Sequence, residues 1–155
     1  DPAHDWPLAR IDDIEDWKPS MLLVEEFMTT DLFTVQKDDI LEFVAYLLEW
    51  RKIRYAPVED DKKQLVGIVT MRMVLREYAK ELSASDKEMQ TVEEIMIKNP
   101  ITVHPEASIL EAINIMQDNK IGCLPVVKKN RLVGVITEHN FMDITRNLLN
   151  RLNQI

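Results

Sequence analysis

Glycine and cysteine are both scarce in this chain, with three glycines and one cysteine among 155 residues. A lone cysteine, Cys123, excludes an intrachain disulfide and any disulfide-built scaffold, and it fits a reducing, cytoplasmic setting. So few glycines leave no room for a Gly-rich phosphate loop. Gly67 and Gly134 fall at matching places in two apolar runs, and only Gly122 stands apart. Net positive charge is lacking as well. A formal charge of −8 is opposite to what nucleic acid or an anionic membrane surface attracts. No apolar run approaches the ~20 residues of a membrane helix. His4, His104 and His139 are too far apart to read as a zinc site.

The parts of an enzyme are also missing. The pairs Asp12-Asp13 and Glu25-Glu26 place no two carboxylates across a pocket. No serine, threonine or cysteine has a base and an orienting group beside it. A non-catalytic protein is expected.

What the chain does contain is repetition. Val24-Glu25-Glu26-Phe27-Met28 returns as Val92-Glu93-Glu94-Ile95-Met96, a shift of 68 residues. Thr34-Val35 returns as Thr102-Val103 and Pro57-Val58 as Pro125-Val126, at the same shift. Leu65–Thr70 returns as Leu132–Thr137 shifted by 67, so one residue is lost from the loop before that run. Repeats of this length are whole αβ units rather than solenoid turns. Two of them imply a pseudo-twofold module with related clefts where the units meet.

Periodicity fills in each unit. Leu41, Val44, Ala45 and Leu48 make an i, i+3, i+4, i+7 stripe, which Ile109, Ala112, Ile113 and Met116 repeat. Asp39-x-x-Glu42 and Ser108-x-x-Glu111 read as capping boxes opening these helices. Short strands follow at Tyr55–Glu59 and Cys123–Val127, then apolar strands at Leu65–Val69 and Leu132–Ile136. Thr70 and Thr137 stand where strand becomes a second helix. Val74, Leu75, Tyr78 and Leu82 mark the first such helix; Phe141, Ile144, Leu148 and Leu152 mark the other. The sequence thus divides into an acidic leader (1–20), repeat 1 (21–82), a polar hinge (83–90) and repeat 2 (91–152). The leader has three prolines, five aspartates and two tryptophans, Trp6 and Trp17, with no sustained period. An opening Asp1 reads as a fragment cut from a longer protein.

This ordered set of pieces, present twice, resembles the cystathionine-β-synthase (CBS) domain, and the tandem resembles the pair known as a Bateman module. The resemblance covers roughly residues 21–152. It implies a mixed α/β (α+β) fold of two β-α-β-β-α repeats with their sheets packed together. It also implies adenine nucleotides (AMP, ADP, ATP) or S-adenosylmethionine in the inter-repeat clefts, with no cofactor required. The expected partners are a fused or associated effector domain and a second copy, as a homodimer.

The family's nucleotide signature is Thr or Ser, two variable residues, then Asp, at the strand-to-helix junction. Here the junctions read Thr70-Met71-Arg72-Met73 and Thr137-Glu138-His139-Asn140, without the Asp. Met73 offers no useful acceptor. Asn140 keeps a neutral one, so the Thr137–Asn140 cleft is the better candidate for a ribose diol. The resemblance places Thr34, Arg54, Tyr55, Pro57 and their counterparts Thr102, Gly122, Cys123, Pro125 along the clefts. Arg54 and Arg72 suit a phosphate or carboxylate, or else are solvated. His139 could touch a phosphate, though a surface helix residue is the plainer reading. Cys123 reads as a small inert strand-end residue, and Met28, Met73, Met96 and Met116 as gap fillers. The competing expectation is a structural, dimerising module that has lost nucleotide binding.

Overall fold

The computed structural model describes residues 22–81 and 90–154. Trp6, Trp17, His4, Leu82 and the hinge up to residue 89 lie outside them. In chain order the elements are α1 (Val24–Phe27), β1 (Val35–Gln36), α2 (Leu41–Arg51), β2 (Tyr55–Glu59), β3 (Leu65–Thr70) and α3 (Met71–Glu81). Then follow α4 (Val92–Ile95), β4 (Ile97–Lys98), α5 (Ile109–Asn119), β5 (Cys123–Lys128), β6 (Arg131–Thr137) and α6 (Glu138–Asn153).

The apolar stripes are what make α2 and α5. Leu41, Val44 and Leu48 are buried along α2, and Ile109, Ala112 and Met116 along α5. Both helices end on a lysine in the left-handed region, Lys52 (φ 53°) and Lys120 (φ 54°). Glycine usually fills that position, and this chain does without it. The stop is secured by the following isoleucines: Ile53 N–H donates to Leu48 O at 3.0 Å and Ile121 N–H to Met116 O at 3.0 Å.

Their beginnings differ, which corrects one expectation. Ser108 caps α5, its hydroxyl accepting from Glu111 N–H at 3.1 Å. The equivalent position in α2 is Ile40, which has no capping side chain. Asp39 lies one residue too early, and its carboxylate instead accepts from Gln36 N–H at 2.8 Å. The missing residue of repeat 2 is also explained. β5 and β6 are joined by Lys129-Asn130 alone, both at positive φ, as a two-residue hairpin requires. β2 and β3 need a longer loop, tied by the Asp60 carboxylate accepting from Lys62 and Gln64 N–H at 2.9 Å.

β1, β2, β3 and β4 form one sheet in that order, with β1–β2 parallel and the others antiparallel. β5 and β6 pair antiparallel, flanked by single bridges from Val103 (parallel, to Val126) and Thr29 (antiparallel, to Val135). The second sheet therefore has the layout of the first in reduced form. A bridge between Gln64 and Arg131 links the two hairpins.

The lead helices are exchanged. Val24 belongs to the core formed by Val103, Ile109, Leu124, Val126 and Ile136, whereas Val92 belongs to that formed by Val35, Leu41, Val44, Val58 and Val69. Val24 N–H donates to Ala107 O (2.8 Å) and Val92 N–H to Asp39 O (2.9 Å), so each lead helix is stitched to the other repeat. Glycine permits this approach. A Cβ on Gly67 would lie 2.5 Å from Met96 Sδ and 3.0 Å from Ile97 O; one on Gly134 would lie 2.5 Å from Met28 Sδ and 3.1 Å from Thr29 O. Sequence repeat and packed unit thus differ by one helix, and separating the repeats would strip each core of a buried valine.

Candidate functional site at the strand-to-helix junctions

Strand register builds the two junctions alike. Tyr55 at the start of β2 lies opposite Thr70 at the end of β3; Cys123 at the start of β5 lies opposite Thr137 at the end of β6. In each, the residue before the strand closes the next helix. Met71 N–H donates to Arg54 O at 2.9 Å and Glu138 N–H to Gly122 O at 3.2 Å. These bonds occupy amides that would otherwise face an anion at a helix N-terminus. In α3 a further one is taken, since Met73 N–H donates to Thr70 Oγ1 at 3.1 Å.

The fourth position separates the junctions. Asn140 is only 8 % exposed. Its Oδ1 accepts from Thr137 N–H at 2.8 Å and from the Thr137 hydroxyl at 3.2 Å, closing a capping box. Its Nδ2 donates to Phe27 O and to Thr29 Oγ1, both at 3.1 Å. A primary amide has two lone pairs and two N–H groups, so every position is in use. In this arrangement the side chain clamps the exchanged lead segment to α6, and a ribose diol at this junction would have to compete with these bonds. Phe27 and Thr29 escaped the sequence reading because they lie more than a hundred residues from Asn140. Met73, half-buried, makes no such link.

The junctions meet through Tyr55. A Cβ on Gly122 would run into the Tyr55 hydroxyl, with ring atom Cζ at 3.1 Å and Glu138 Cδ at 3.5 Å. Glycine at 122 is thus what lets the ring rest on repeat 2. Burial, then the Glu138 carboxylate, raises the Tyr55 phenol above its ordinary value, with Cys123 adding to it and Arg54 opposing. Burial also pushes the Cys123 thiol from 9.0 up to about 12. A thiol held that firmly protonated is a poor nucleophile.

The remaining expected site residues sort by depth. Pro57 and Pro125 are buried within β2 and β5. Thr34 and Thr102 precede Val35 and Val103, which pair with Val58 and Val126, so the threonines flank the prolines at the strand level. Thr34 is half-buried and Thr102 exposed. Arg54, Arg72 and His139 are exposed, and neither arginine is held in an ion pair among the described residues. Charge therefore differs between the junctions. The α3 junction carries Arg54 and Arg72, whereas the α6 junction carries Glu138 and His139. Among the described residues, no group of three or more His, Cys, Asp or Glu side chains could hold a metal ion. Nor is any described helix long and apolar enough to cross a membrane.

Comparison with known proteins agrees with this architecture. The CBS domain family model matches twice, at residues 24–80 and 92–146. A CBS domain-containing protein of Dictyostelium discoideum is 30% identical over 131 residues, covering 79% of this chain and 90% of that protein. A homoserine O-acetyltransferase of Methanosalsum zhilinae is 32% identical over 116 residues, 74% of this chain but only 22% of the relative. Among solved structures, Arabidopsis thaliana CBSX2 in complex with AMP is 26% identical with a TM-score of 0.74, covering 82% of this chain and 98% of that one. The CBS domain pair of protein MJ0100, in complex with 5'-methylthioadenosine and S-adenosyl-L-methionine, is 25% identical with a TM-score of 0.72, covering 81% and 96%. With two matched repeats, two equivalent junctions and exchanged lead helices, the chain belongs to the CBS domain family and carries a tandem CBS pair.

Proposed function

We propose that this CBS pair is a non-catalytic regulatory module that senses an adenosyl ligand or another small anion between its repeats and biases a fused or associated effector domain. The observation that carries the reading is the contact of the two junctions through Tyr55 on Gly122, beside Glu138. A ligand displacing Tyr55 at one junction would alter the other, which is the differential contact a sensor requires. Similarity to pairs in complex with AMP or S-adenosylmethionine supports the ligand class. Similarity to a short stretch of a much longer acetyltransferase supports an effector in the same chain. The exposed Arg54 and Arg72, with no carboxylate among the signature residues, favour the α3 junction for the anionic part of the ligand. A reducing, cytoplasmic setting belongs to the same proposal and rests on the single, buried cysteine.

A second reading has its own support. With Asn140 saturated and Met73 apolar, neither junction offers a free carboxylate to a ribose, and a purely structural module would look the same. Thermal unfolding with AMP, ADP, ATP, S-adenosylmethionine or NADH at millimolar concentration separates the two. Ligand at a hundred times its dissociation constant adds ~2.7 kcal/mol, a rise of roughly 5–10 °C. The sensor reading expects that rise with at least one adenosyl ligand and its loss in an Arg54→Ala, Arg72→Ala protein. A flat response across the panel leaves the structural module.

A further inference from the structure

We infer that the two hairpin tips form a basic docking surface, and that its occupant is the acidic leader of the same chain. The β5–β6 tip carries Lys128, Lys129 and Arg131, and the β2–β3 tip carries Lys62 and Lys63, all exposed. The bridge between Gln64 and Arg131 holds the two tips side by side. In the hairpin register Lys128 lies directly opposite Arg131. Like charges so placed destabilise a strand pair, and none of the five cations has an ion-pair partner among the described residues. The acids nearby are Glu59, Asp60 and Asp61, and the Asp60 carboxylate is turned to its own loop amides. Five cations against three carboxylates leave the tips positive on a chain whose net charge is −8.

The counter-charge is in the same sequence. Residues 1–20 carry six carboxylates against Arg10 and Lys18, a net −4, and Asp12, Asp13, Glu15 and Asp16 fall within five positions. The leader lies outside the described residues, but its point of attachment does not. β5 runs toward its tip, Val103 lies parallel to Val126, and the chain continues that way to Ser108. Leu23 bridges Ser108, and Leu22 O accepts from Ile109 N–H at 2.7 Å. The leader therefore joins repeat 2 at the tip end of its sheet, not at the junction end. The ten residues from Leu22 back to Asp12 span up to about 35 Å when extended, more than the width of four paired strands. Exposed ion pairs are individually weak. A short tether offsets this by presenting the leader at millimolar effective concentration. Nucleic acid, the other common occupant of a basic surface, would meet both this competitor and the net negative field of the chain.

The test is zero-length carbodiimide coupling of the full chain, which joins a carboxylate to a lysine only where they meet, followed by peptide mass mapping. Coupling should join Asp12, Asp13, Glu15 or Asp16 to Lys62, Lys63, Lys128 or Lys129 within a species of one chain mass, 18.1 kDa. Lys52 and Lys120, exposed at the junction ends of α2 and α5, are the controls and should not couple to the leader. Raising salt from 0.1 to 1 M shortens the screening length from about 10 to 3 Å and should cut the yield several-fold. Lys128→Glu gives Arg131 a partner across the hairpin, so the fold should keep its circular dichroism spectrum while coupling at Lys62, Lys63 and Lys129 falls at least twofold. Equal coupling to Lys52 and Lys120 overturns the inference, as does coupling found only in species of twice the mass. So does a yield indifferent to both salt and Lys128→Glu. A leader that couples nowhere overturns it too, and would leave the tips to an outside polyanion such as nucleic acid.

Discussion

The two strand-to-helix junctions begin with the same threonine and end with different occupations. At Thr70 the hydroxyl caps one amide, that of Met73, and the fourth residue is a thioether with nothing to exchange. At Thr137 the fourth residue is a buried amide that ties strand end, helix start and the exchanged lead segment together. The acidic group lies at the second junction, as Glu138, and the arginines at the first. A pseudo-twofold backbone thus holds one junction that is locked by hydrogen bonds and another that is lightly capped and cationic. Duplication supplied equivalent positions, and a few side chains gave them different work.

The largest expected effect concerns the paired strand starts, Tyr55 and Cys123. The Cys123 thiol titrates at about 12 when folded and near 9.0 ordinarily. The folded state therefore keeps a proton that the unfolded state has lost. Stability from this group is complete below pH 9.0 and declines as pH rises toward about 12, by on the order of 4 kcal/mol across that span. Tyr55, also raised, acts in the same direction at higher pH. Urea unfolding from pH 8 upward should show a steeper alkaline loss in the native sequence than in Cys123→Ala. Matching slopes would mean the thiol is not buried as described.

Next is the lock itself. Asn140→Ala strands the Phe27 carbonyl and the Thr137 amide, and should cost about 2–3 kcal/mol, a fall in Tm of roughly 5–10 °C. A fall no larger than that of Thr70→Val would erase the contrast between the junctions. Met73→Asp tests it from the other side, because it restores a carboxylate at the cationic junction. If the sensor reading holds, an adenosyl ligand should bind ten- to a hundredfold tighter, from ~1.5–3 kcal/mol of charge-assisted hydrogen bonding. Calorimetry showing no gain would place the ligand elsewhere. Smallest is Thr70→Val, which removes one cap worth ~1 kcal/mol and should lower Tm by only a few degrees.

Much of this was legible in the order of residues. β2 begins and ends where the sequence pattern put it, at Tyr55 and Glu59, because Pro57-Val58 and the flanking polar turn are local signals. The stripes of α2 and α5 became core, and the lost residue became the tighter Lys129-Asn130 turn. The Asp39 cap was misread because a carboxylate two residues before a helix looks, in sequence, like one that caps it. The exchange of α1 and α4 could not be read either. An apolar valine in a lead helix states that it must be buried, not in which of two similar cores.

The sequence by itself determined that the chain is a duplicated αβ unit and which residues open each second helix. Periodicity and turn chemistry act over a few residues, and a shift of 68 residues in identical motifs is visible without coordinates. Only the tertiary structure decided that Asn140 is consumed by Phe27 and Thr29, and that Tyr55 rests on Gly122 in the other repeat. It also showed that α2 keeps an aromatic face beyond the core. Each of those outcomes depends on which surfaces come within hydrogen-bond or van der Waals distance, and contacts between residues far apart in the chain leave no periodic trace in it.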